Sequence, residues 1–134
     1  MLIGALALTA ASFVFCQSAQ AQAFRPFKES RISAVQWQEY FSLVSVKFAS
    51  SLRDLEKDHL QMYFDGATGV TYTFTKPSHP AHPAWVSRMM VVVDGNYAAN
   101  QAGFYAGSQN EYHLLYASIS EMNERLRKGL SPAK

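Results

Sequence analysis

Two β-favouring runs separated by the dipeptide Asp94-Gly95 constrain this chain more than any other feature. Glycine takes positive φ without steric cost, so Asp-Gly between such runs predicts a tight hairpin and an antiparallel pair. The first run is Trp85 to Val93, with Met89, Val91 and Val93 on one side and Arg88, Met90 and Val92 on the other. The second is Tyr97 to Tyr105, whose Ala99, Gln101 and Gly103 leave room for another element to pack close. Upstream, Val70, Tyr72 and Phe74 alternate with Thr71, Thr73 and Thr75, the period of a third strand. One longer loop separates it from Trp85. The sequence therefore predicts a three-stranded antiparallel meander.

Helices flank these strands. Ser33-Ala34-Val35-Gln36 matches a capping box, in which a hydroxyl takes a backbone N–H and the glutamine reaches back. Trp37, Phe41, Val44, Phe48, Leu52 and Leu55 then follow at helical spacing, and the stripe extends to His59. This helix either runs to Tyr63 before the stop at Asp65-Gly66, or breaks near Asp58 and leaves Leu60 to Phe64 to form a strand. A second box, Ser108-Gln109-Asn110-Glu111, opens a C-terminal helix with Tyr112, Leu115, Ile119, Met122 and Leu126 on one stripe. Gly129 and Pro132 end it, and Arg125, Arg127 and Lys128 complement its macrodipole. The expected architecture is a two-layer α+β domain, helix, meander, helix, with both helices on one sheet face. The other face would be bare. Thr71, Thr73 and Gln101 would meet water there, and Met90 and Val92 beside Arg88 would form a mixed patch for a partner or a second copy.

The N-terminus reads as a signal for export. Residues Leu2 to Phe15 carry no charge and are mostly apolar, and Ser18 to Ala23 hold two overlapping Ala-x-Ala sites. The stretch is short for a membrane span, which needs about 20 apolar residues. The expected division is a signal peptide over residues 1–23 and one domain over 24–134, periplasmic or secreted and without a membrane anchor after cleavage. The only cysteine, Cys16, lies in the signal behind the bulky Phe15, which does not suit lipidation. The domain thus has neither a disulfide nor a thiol nucleophile. Twelve basic against ten acidic residues leave a net charge of +2, too weak to favour nucleic acid or a membrane surface.

The segment richest in candidate chemistry is Lys76 to Trp85, which holds Pro77, His79, Pro80, His82 and Pro83. In polyproline II, His79 and His82 would share an edge about 9 Å apart at ~3.1 Å per residue, too far to grip one ion. In a β-turn with Pro80 second, their Cα atoms would come within about 7 Å. Spacing leaves both open. A zinc or copper ion at His79 and His82 would need a third ligand, from His59, His113 or a carboxylate such as Asp58. The other readings are a rigid connector and a presented recognition loop. Arg88 is either a solvated guanidinium or an anion-binding group near this loop.

The string Phe74-Thr75-Lys76-Pro77-x-His79-Pro80-Ala81-His82-Pro83 resembles one in small exported bacterial proteins of unassigned function. The resemblance implies export and brings no activity, cofactor or catalytic residue. No nucleophile elbow, phosphate-binding loop or His-Glu-x-x-His is present. The sequence accordingly points to an exported interaction module that binds a protein or envelope component through His79, Pro80, His82, Trp85 and Arg88. Metal or small-ligand binding at His79 and His82 is the alternative. A small hydrolase, with a histidine hydrogen-bonded to a carboxylate or hydroxyl in a pocket, is the next.

Overall fold

The computed structural model describes residues 24–130. The signal peptide expected over residues 1–23 and the end of the tail lie outside them. Helix α1 spans Ala34–Lys47, and strands β1 Arg53–Leu55, β2 Leu60–Asp65, β3 Val70–Thr75, β4 Ala84–Val93 and β5 Asn96–Tyr105 follow. Helix α2, Gln109–Leu130, completes the order. The strands form one antiparallel sheet in chain order, β1-β2-β3-β4-β5.

The expected three-stranded meander is corrected to five strands. Helix α1 starts as the capping box predicts, with Gln36 N–H donating to Ser33 Oγ and Ser33 N–H to Gln36 Oε1. It stops at Lys47, well before Asp58. Ser51 explains the stop: its hydroxyl donates to the Phe48 carbonyl at 2.7 Å and accepts the Phe64 amide of β2 at 2.9 Å. A serine that bonds backbone in this way competes with continuation of the helix. Leu52, expected on the helical stripe, is exposed, and His59 is a left-handed residue (φ 57°) leading into β2.

The helices also lie on opposite faces of the sheet, not on one. Cross-strand register puts Tyr63, Tyr72, Phe74, Trp85 and Phe104 on the same face. Trp37, Tyr40 and Val44 of α1 pack there. Tyr40 stacks on Trp85 with ring centroids 4.4 Å apart, and Phe41 meets Phe74 edge-on at 5.1 Å. Strand side chains alternate, so Val86, Arg88, Gln101, Gly103 and Tyr105 point the other way. Tyr112, Leu115 and Ile119 of α2 pack on that face. The result is a three-layer sandwich, with β3 and β4 covered on both sides near the His-Pro loop. The chain ahead of α1 lies beside β5: Ile32 N–H donates to the Tyr105 carbonyl, and Tyr105 N–H to that of Ser30.

Asp94 and Gly95 both have positive φ (52° and 77°), which is the geometry expected of their hairpin. Strands β4 and β5 outrun their neighbours. Met89 is the last residue of β4 paired with β3, so Met90 to Val93 pair with β5 alone. Val92, Val93 and Tyr97 of this arm are exposed.

Small residues set the approach of α2. The Tyr112 side chain lies directly over Gly103, where a Cβ would overlap its hydroxyl. At the β5–α2 junction a Cβ on Gly107 would stand 2.6 Å from the His82 carbonyl oxygen and 3.0 Å from that of Ala81. Backbone cannot yield as a side-chain tip does. Gly107→Ala is expected to destabilise the fold by about 1–3 kcal/mol, the usual cost of overpacking. Urea unfolding followed by circular dichroism measures this, and an unchanged midpoint would show that the loop gives way freely.

Candidate functional site

The placement of α2 creates the site. The helix packs chiefly over β5 and only lightly over β4. The β1–β3 side of the same face is not covered by the helix, and a trough runs between it and α2. Its floor is built from alternate residues: Leu55, Leu60 and Met62, with buried Thr73 beside them. Leu114, Leu115 and Ile119 of α2 form the wall at this end. Further along, Thr71, Phe64 and Met90 continue the floor, and Leu126 and Leu130 the wall. The cavity at this second end measures about 490 Å³, within the range of small-molecule sites.

Charge divides the trough lengthwise. Asp58, Glu111 and His79 line the end near the His-Pro loop. Arg125 lines both ends, and Arg88 the far one, where a side recess between β1 and β3 adds Arg53. Among the described residues no carboxylate lines either cavity at that end.

Arg88 is the most constrained of these side chains. It stands opposite Thr71 on β3 and Gln101 on β5, half-buried, and its Nη1 donates to Asn123 Oδ1 at 2.8 Å. Asn123 is buried and donates in turn to Gln101 Oε1 at 2.6 Å. Burial holds the Arg88 guanidinium below its ordinary range by disfavouring its charge.

The predicted residues separate. His79 and Pro80 reach the trough, at its acidic end. Arg88 reaches it at the basic end, with the length of β3 between it and the loop, so the two do not make one anion site. Trp85 is no surface residue: it is fully buried in the aromatic layer under α1, because the alternation of β4 turns it from α2. The loop is turned rather than polyproline-like, with His79 N–H donating to the Lys76 carbonyl and His82 N–H to that of His79. The imidazoles nonetheless diverge. His79 Nδ1 accepts the Ala81 amide at 2.9 Å. The His82 ring lies edge-on to Trp37 of α1 at 4.9 Å, and its Nδ1 donates to the Thr75 carbonyl at 3.1 Å. Among the described residues no group of three His, Cys, Asp or Glu is placed to hold a metal ion, so the expected third ligand for His79 and His82 does not arrive.

His59 bonds through Nδ1 to Ser78 Oγ at 2.8 Å, but both are exposed and neither lines the trough. The Thr75 hydroxyl near His82 is held by Ala84, accepting its N–H and donating to its carbonyl. His113 is exposed. Sequence reasoning missed Arg53, Met62, Thr71, Asn123 and Arg125. One signal was available: Asn123, four residues after Ile119, is a polar residue on the buried stripe of α2.

Comparison with known proteins finds no matching family model, no matching curated protein and no matching solved structure. Among the described residues no helix is long and apolar enough to cross a membrane.

Burial lowers the pKa of His79 below its ordinary 6.5, and neighbouring His59 lowers it further; burial also lowers that of His82. An unfolded histidine then binds protons more readily than the folded one, so protonation favours unfolding. The stability these rings permit is complete above about pH 6.5 and is lost as pH falls through their depressed folded values. The midpoint of thermal unfolding should therefore drop as pH is lowered below about 6.5. His79→Asn keeps an acceptor for the Ala81 amide and cannot titrate, and should flatten part of that slope. An identical slope in scanning calorimetry would remove His79 from the account.

Proposed function

We propose that this chain is an exported binding module whose ligand lies in the trough between α2 and the β1–β3 side of the sheet. Export rests on the apolar run and Ala-x-Ala sites of residues 1–23. Binding rests on one observation. The offset of α2 leaves apolar side chains facing an open concave space on an otherwise covered sheet, with Phe64 49% and Leu114 66% exposed. Contiguous apolar surface of this kind on a folded domain marks a contact site. The His-Pro loop contributes only His79 and Pro80 at one end. The face expected to be bare is instead packed by α2 over β5, and only its β1–β3 side is left to this reading.

A neutral solvatochromic dye, Nile red, tests this. The protein should bind it at one site with a blue-shifted emission. Thr71→Trp fills the floor where both cavities of the basic end meet, and should weaken binding about tenfold or more, as loss of an apolar pocket would. Leu126→Trp on the rim serves if Thr71→Trp does not fold. Leu43→Ser, on the exposed outer side of α1, should leave binding intact. Dye binding that survives the two tryptophans and vanishes with Leu43→Ser would move the site to α1 and end this reading.

A further inference from the structure

We infer that the trough accepts a single-chain fatty carboxylate, with its head group on Arg88 and its acyl chain along Phe64, Met90, Leu126 and Leu130. The inference rests on the trough being the binding site and names what it binds.

The head group follows from an unbalanced charge. Among the described residues the one hydrogen bond of the Arg88 guanidinium goes to a neutral amide, Asn123, and no carboxylate pairs with Arg53, Arg88 or Arg125. A guanidinium carries five donors in a planar fork and stays charged in proteins. Removing such a charge from water is costly unless an anion compensates it. Arg88 is half-buried in an apolar cavity wall with donors to spare, and Arg125 and Arg53 stand on either side of it. A carboxylate fits that fork through two parallel hydrogen bonds.

The tail follows from the backbone. Leu60, Met62, Thr71, Thr73 and Arg88 of the floor lie on strands paired on both sides and the Phe64 amide is held by Ser51 Oγ, whereas Met90 pairs with β5 alone. A peptide lying over the doubly paired part of the floor would find few partners for its own backbone, which is costly. An acyl chain has no polar group to satisfy. It is matched by Phe64, Met90, Leu126 and Leu130, of which Phe64, Leu126 and Leu130 are exposed without it.

The test varies the head group on one tail. Laurate, methyl laurate and dodecyltrimethylammonium compete with Nile red at about pH 8, well above the carboxylate range and below that of arginine. Laurate should displace the dye at a concentration about tenfold or more below that of its methyl ester, as a charged hydrogen-bonded pair implies. Dodecyltrimethylammonium should be the weakest. Arg88→Met should bring laurate to the level of the ester. Asn123→Asp supplies an internal counter-charge, and should weaken laurate relative to its methyl ester. Equal displacement by laurate and its ester in the unchanged protein would overturn the inference, as would a laurate preference that survives both Arg88→Met and Asn123→Asp. The head-group series needs no variant, so it decides even where Arg88→Met does not fold. Failure of the dye itself to bind would instead strike at the trough as a site, so the two failures are told apart.

Discussion

The burial of Trp85 is the constraint on which the other elements depend. Its ring has no exposure and touches Tyr40 of α1, Phe104 of β5, Phe74 of β3 and Phe27 of the lead-in, with centroids between 4.4 and 6.2 Å. Its indole N–H is satisfied by the hydroxyl of Ser87, also fully buried. A large aromatic ring supplies much apolar area in one place. Once it faces α1, strand alternation gives Val86 and Arg88 to the opposite side. The second layer, and Arg88 within it, are consequences of where one tryptophan points.

The trough follows from a second choice, the lateral position of α2. Gly103 admits Tyr112 close to β5, where its ring stacks on Tyr105 at 4.5 Å. The Asn123–Gln101 bond, and Tyr116 Oη donating to the Gln101 carbonyl, hold the helix over that strand. A helix so placed cannot also cover β1 to β3. The fold therefore keeps apolar floor residues accessible while its central strands stay buried.

Much of this was legible in the sequence. The Asp94-Gly95 turn, the Ser33 capping box, the alternation of Val70 to Thr75 and the stripe of α2 each rest on a local rule, and each is present. The faces were not legible. Thr73 read as water-facing, yet it is buried, as is Thr75, whose hydroxyl finds both partners in the Ala84 backbone. Local polarity cannot announce such satisfaction. The end of α1 was hidden as well, because Phe48, Leu52 and Leu55 keep helical spacing while Ser51 breaks it through a bond to Phe64, distant in sequence. His79 and His82 were grouped by spacing, and the turn between them sends one ring to α1 and the other to α2. The role of Arg88 needed Asn123, 35 residues away.

The strand order of the sheet has a kinetic consequence. Each strand pairs with its predecessor in the chain, so every ladder closes a short loop. Such pairings form early and quickly, since rates fall as contacts become more distant in sequence. The contact of Ser30 and Ile32 with Tyr105 is the exception, joining nearly the start of the described chain to the end of the sheet. It has nothing to bind until β5 is in place. The expected order is thus a sheet that zips outward from its hairpins, and a lead-in that arrives afterwards and carries α1 onto Trp85. The aromatic layer that dominates the finished molecule would then be completed late in its assembly.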